Sequence, residues 1–235
     1  MVISVSAFVS GATPYTNHLT PPPVLVADAP RQVWCWDITD LPGPGRQRFK
    51  LFTMLDLYSR CVVGHRVEHH ESRELAAEFI HACLASEGVS PRVIHADNGP
   101  AMRASTTRDL LTRLHITASY SRPRVSNDNP YVESLFKTTK YDRRFPERFG
   151  SLDHARAWAE EFFTDYNTRH HHEGLAGHTP ERVHDGSWPT HHEHWRTLKN
   201  AYAQRHPHRH HRTPVTHEPP DTVWINPPHQ LSQTA

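Results

Sequence analysis

Three strand-like runs follow one another before the chain offers a helix, and this order limits the folds open to it. QVWCWDIT from Gln32, FKLFTMLDLYSR from Phe49 and CVVGHRVEHH from Cys61 are rich in aromatic and β-branched residues, which suit a pleated backbone. The turn LPGPG separates the first two, so the three read as an antiparallel meander. Ser72 then caps an amphipathic helix with Leu75, Ala76, Phe79, Ile80, Cys83 and Leu84 on one stripe, ending at Glu87-Gly88. RVIHAD reads as a short buried strand, TTRDLLTRLH as a helix and ITASYS as a fifth strand. The helix carrying Glu133 and the helix SLDHARAWAEEFFTDYNTRHH follow. The order β-β-β-α-β-α-β-α-α predicts an α/β fold, a mixed five-stranded sheet flanked by helices on both faces.

On either side the texture changes. Residues 1–30, ending in TPPPVLVADAP, hold no sustained period and read as an extended arm. Residues 31–188 form the core domain, and residues 189–235 a polar tail rich in His and Pro. Within that tail the apolar island TVWINPP is expected to dock as a strand or hook. The clusters His170–His172 and His206–His211 read as compositional bias. Cys35, Cys61 and Cys83 stand singly in apolar segments with no C-x-x-C spacing, as small core residues of a reducing compartment do. No apolar run approaches the length of a membrane span, and the first Lys or Arg is Arg31, too late for a secretory leader. A cytoplasmic protein is expected.

Three acids carry the functional argument. Asp37 lies mid-strand in WCWDIT, where a carboxylate is costly unless paired or metal-bound. Asp97 follows a buried strand, at the strand end where α/β sheets gather their ligands. Glu133 stands on the first turn of a helix that opens with Asn129, a candidate cap, and Pro130. At 100° per residue Glu133, Lys137, Lys140 and Arg144 share one face, a carboxylate above a ladder of cations. If the first and fourth strands are neighbours, Asp37 and Asp97 lie side by side and Glu133 closes over them. Three converging carboxylates call for a hard cation, Mg²⁺ or Mn²⁺ ahead of zinc. Each acid also has a plainer reading. Asp37 could bond backbone N–H groups, Asp97 could stabilise its Asp-Asn-Gly-Pro turn, and Glu133 could pair with Lys137 on a solvated face. Net charge is only +1, yet residues 103–148 hold ten Lys/Arg against five Asp/Glu, a surface able to face phosphates.

The blocks W-x-W-D-I-T, H-A-D-N-G-P and S-N-D-N-P-Y-V-E-S-L-F-K-T-T-K resemble the signatures of bacterial insertion-sequence transposases of the DDE type, in the retroviral-integrase superfamily. Between Asp97 and Glu133 lie 35 residues, that family's spacing, and Lys140 follows Glu133 by seven. DLYSR and YNTRHHHEGLAGHTPERVH extend the resemblance, which runs from about Pro21 to Pro228. It implies a ribonuclease-H-like fold and DNA strand cleavage and strand transfer. Asp37, Asp97 and Glu133 would be catalytic and would hold two Mg²⁺ or Mn²⁺ ions. Lys137, Lys140, Arg144, Arg122 and Arg124 would contact DNA, with Asn98 and Asn129 behind the ligands. The implied partners are element ends and target DNA, further copies of the chain, and an upstream helix-turn-helix protein, because residues 1–30 cannot form that recognition region themselves. The chain would then be the catalytic half. A nuclease of the same fold that cuts without joining ends, and a non-catalytic DNA-binding relic that inhibits a full-length transposase, are the alternatives.

Overall fold

The computed structural model describes residues 21–123, 125, 128–208 and 215–228. β1 (Leu25–Ala27) leads into β2 (Val33–Pro42), β3 (Arg48–Asp56) and β4 (Val62–Glu68), the expected antiparallel meander. α1 (Arg73–Glu87) follows, then β5 (Val93–Ala96), α2 (Pro100–Arg103), α3 (Ser105–Arg113) and β6 (Thr117–Tyr120). α4 (Pro130–Tyr141), α5 (Leu152–Arg169), α6 (Pro180–His184) and α7 (Trp188–Arg205) precede β7 (Val223–Ile225). The main sheet has the order β4-β3-β2-β5-β6, with β5 parallel to both β2 and β6.

Strand alternation builds two cores. Val33 and Cys35 point to one face of β2, where Val132, Leu135, Phe162 and Phe163 of α4 and α5 cover them. Trp34 and Trp36 point to the other, against Phe79 and Ile80 of α1 and Leu110 of α3. A strand buried on both faces has to be apolar nearly throughout, which is why Asp37 stands out. The predicted caps of α1 are in place: Ser72 Oγ accepts from the Leu75 N–H at 3.1 Å, and Gly88 closes the helix in the left-handed region at φ 66°. All three cysteines are free and buried.

Two elements lie where the sequence reading put arm and tail. β1 pairs antiparallel with β7, Leu25 against Ile225 and Ala27 against Val223, and both strands pack on the α4–α5 core. The apolar island thus docks as a strand. α7 is an 18-residue helix, all but its first residue in the segment read as a polar tail. Only His192 of α7 is buried; Trp188, Trp195, Leu198 and Tyr202 share one face of it, but Leu198 and Tyr202 stay exposed. Among the described residues no helix is long and apolar enough to cross a membrane.

Candidate active site

The parallel pairing of β2 with β5 sets Trp36 opposite Ala96. The next residue on each side is an acid, Asp37 within β2 and Asp97 just past the end of β5. Asp97 Oδ1 accepts the Gly99 N–H at 2.7 Å, and Asp37 Oδ1 accepts the Ile38 N–H at 2.7 Å. Gly99 keeps room for this turn. A Cβ there would lie 3.0 Å from Asp97 Oδ1 and 3.3 Å from Met102 Sδ. α4 begins above the two strands with Pro130 in its first turn, and carries Glu133.

Asp37, Asp97 and Glu133 line one cavity of about 510 Å³, together with Asn98, Ser121, Arg122 and Asn129. Burial, the negative charge of Asp97 and that of Glu133 push the Asp37 carboxyl up to about 7, against the pull of the Ile38 N–H and Lys140. A second cavity of about 500 Å³ adjoins the first, shares Asp37 and Asp97, and is walled by Lys140 and Thr39. Among the described residues no three His, Cys, Asp or Glu side chains stand close enough to share one ion. The three carboxylates therefore line a common space without closing on a single point. The donor set suits a hard divalent cation: oxygen only, with one acid destabilised by the other two. Asn129 is buried and also lines the cavity, and its buried Oδ1 has no hydrogen-bond partner.

The other candidates separate. Lys140 Nζ donates to Thr39 Oγ1 at 2.7 Å beside the acids, and Lys137 is exposed one turn earlier on α4. Asn98 donates to the Ser121 carbonyl and accepts from Arg103 Nη1 at 2.9 Å. Arg122 reaches the cavity wall but is ion-paired through Nε to Asp128 Oδ2 at 2.9 Å. Arg124 lies outside the described residues. Two expectations need correction. Arg144 does not continue the ladder, because α4 ends at Tyr141 and Asp142 turns the backbone extended (φ −61°, ψ 137°). Its guanidinium is bound by Asp142 and Asp165, at 3.1 and 2.5 Å. Asn129 occupies the cap position but makes no side-chain cap; its Nδ2 donates to the Trp36 carbonyl at 3.4 Å.

Asp128 was not anticipated. It is fully buried and receives the Arg122 backbone N–H, Nε and Nη2. Its place beside Asn129, before a helix opening with proline, was the available signal, but two asparagines flanking an acid read equally well as an exposed turn.

Two integrase core domain models match the chain, one over residues 27–126 and one over residues 114–180. The transposase of insertion sequence element IS904 from Lactococcus lactis is 27% identical over 163 residues, covering 67% of this chain and 63% of that protein. Transposase InsF of insertion sequence IS3A from Escherichia coli is 29% identical over 159 residues, covering 66% of this chain and 54% of that protein. The chain thus spans little more than half the length of the curated relatives it matches. A chain from the cryo-electron-microscopy structure of the simian T-cell lymphotropic virus intasome, in complex with PP2A regulatory subunit B56 gamma, superposes with a TM-score of 0.53 at 21% identity. That match covers 67% of this chain and 55% of the other and supports the ribonuclease-H-like fold. The chain thus matches integrase core domain models from residue 27 to residue 180, and the curated relatives it resembles are transposases of bacterial insertion sequences.

Proposed function

We propose that this chain is the catalytic part of a transposase that cleaves and rejoins DNA strands with divalent metal ions, Mg²⁺ or Mn²⁺, two at a time. The observation that carries the reading is the convergence of Asp37, Asp97 and Glu133 on one cavity, with Asp37 held near 7 by burial and by the other two acids. When bound, the ions would activate an attacking water or 3′-hydroxyl and stabilise the leaving oxygen of an in-line displacement. Asp37 and Asp97, fixed side by side by strand register, would hold them from below, and Glu133 from above. Asn129 would turn its unpartnered oxygen towards the same space. Lys140, on the wall beside Asp37, would steady a DNA phosphate, and Lys137 would extend that contact along α4. Arg122 would support the site mainly through Asp128, and Asn98 by joining the turn after β5 to Ser121.

The substrates in this reading are insertion-element ends and target DNA, in the bacterial cytoplasm. Recognition of the ends would come from an upstream helix-turn-helix partner, and activity from several copies assembled on two ends. A branched DNA that mimics a joined product asks least of end recognition. Incubated with Mn²⁺, the chain is expected to cut and reseal it, and Asp97→Asn and Glu133→Gln to lose both reactions. Equal products from wild type and both variants would sink the proposal. A wild type that binds DNA and Mn²⁺ without reacting would mark a catalytic half awaiting its upstream partner, and one that binds neither would mark the three acids as a relic of transposase ancestry.

A further inference from the structure

The strand β7 is tied to the loop that introduces α4, and the tie ends on the side chain of Asp128, five residues before Glu133. Asn226, just past β7, adopts φ 48°, in the left-handed region that asparagine enters more readily than most side chains. Its Nδ2 donates to Asp128 Oδ1 at 2.8 Å and to the Pro23 carbonyl at 3.1 Å. Two residues earlier, the Trp224 carbonyl accepts the Tyr131 hydroxyl at 3.0 Å, so the first turn of α4 is held as well.

Asp128 is the knot of this arrangement. Its carboxylate takes three donors from Arg122 and the amide of Asn226. Its carbonyl lies 2.8 Å from Nε2 of buried His95 on β5. The Arg122 guanidinium, ahead of the other donors, holds the Asp128 carboxyl down to about 2, so the clamp stays charged across the working range of pH. Asn129, which lines the acid cavity and whose buried Oδ1 has no hydrogen-bond partner, follows at once. Strand β5, which leads into Asp97, and helix α4, which carries Glu133, therefore meet at one buried residue, β5 through the Asp128 carbonyl. The fourth donor to the Asp128 carboxylate comes from 98 residues away.

We propose that the Asn226 side-chain amide is a positioning group: by completing the Asp128–Arg122 clamp it sets the start of α4 and so the height of Glu133 over Asp37 and Asp97. The consequence for metal rests on the reading of those acids as ligands; the clamp itself does not. Asn226→Gly removes the amide, suits the positive φ, and leaves Val223 and Ile225 buried. That full-length variant is expected to fold. Hydrogen exchange on it is expected to show amides of the first turn of α4 opening about tenfold more often, with β2 unchanged. Asn226→Asp, which sets a second carboxylate against Asp128, should exceed the glycine effect. In a Mn²⁺ titration Asn226→Gly should weaken binding several-fold in the wild type and make no further change in Glu133→Gln. Unaltered exchange in α4 overturns the clamp. Faster exchange with unaltered Mn²⁺ affinity overturns the positioning role. Mn²⁺ binding that ignores Glu133→Gln from the start overturns the ligand reading instead, and exchange then decides the clamp alone.

Discussion

Replacing Asp37 by asparagine should stabilise the metal-free protein, the opposite of what removing a satisfied buried acid does. In the folded chain the Asp37 carboxyl keeps its proton up to about pH 7, whereas an exposed aspartate loses it from 3.8. Between those values the folded state binds more protons than the unfolded one, so stability falls as pH rises. The full penalty is present above pH 7. Roughly three pH units at about 1.4 kcal/mol each set a ceiling of about 4 kcal/mol. Solvent in an open cavity screens part of this, leaving on the order of 2 kcal/mol. A chain of this length gains about 2–4 °C in melting temperature per kcal/mol, so Asp37→Asn should melt roughly 4–8 °C above wild type in EDTA at pH 8. At pH 4 the two should nearly coincide. Mn²⁺ at pH 8 should reverse the order, raising wild type and leaving the variant where it was. A variant that melts below wild type in EDTA at pH 8 would refute the reasoning, since Asp37 would then be a satisfied structural acid.

The remaining predictions concern other parts of the same framework. Burial opposes a charge on His184, but Asp56 and Glu87 outweigh it and raise its pKa to about 9; Glu87 Oε2 lies 2.9 Å away. A raised histidine stabilises fully below its unfolded value near 6.5 and loses that contribution as pH climbs through 9, so unfolding midpoints should drop from pH 7 to 9.5 in wild type and stay flat over that range in His184→Gln. Gly99→Ala keeps an allowed backbone (φ −57°) but presses a methyl on Asp97; it should fold normally and weaken Mn²⁺ binding several-fold in calorimetry. Lys140→Ala should lower strand cleavage about 10–100-fold, the value of a charge-assisted hydrogen bond. Arg144→Ala, whose guanidinium is already committed to Asp142 and Asp165, should change the cleavage rate by less than about threefold.

What the sequence made legible were features that local chemistry dictates. The strand runs and the α1 stripe follow from periodicity, and Ser72 and Gly88 cap the helix they were expected to cap. The adjacency of Asp37 and Asp97 needed one inference about neighbouring strands, and parallel pairing of β2 with β5 supplies it. Features decided by distant partners stayed hidden. Arg144 continues the α4 face only if the helix runs on, and the α5 ion pair that holds it elsewhere comes from Asp165, 21 positions away. Asn129 has the composition of a cap, yet its side chain is drawn to the Trp36 carbonyl of β2. α7 escaped because its apolar residues, Trp188, Trp195, Leu198 and Tyr202, are spread thinly among histidines and charged residues, a weak stripe on a helix with only His192 buried. The link between Asn226 and Asp128 spans 98 residues and involves two side chains that each look like ordinary turn residues.

The central claim is that Asp37, Asp97 and Glu133 form one metal-holding site, and a Mn²⁺ titration followed by electron paramagnetic resonance tests it without requiring DNA or turnover. Free Mn²⁺ gives a sharp six-line signal that fades on binding. The account predicts that wild type removes about two equivalents, that Asp37→Asn and Asp97→Asn each abolish tight binding, and that Glu133→Gln retains one ion at most. If the triple variant takes up Mn²⁺ as wild type does, the ions sit elsewhere on the chain and the three acids are not its metal site.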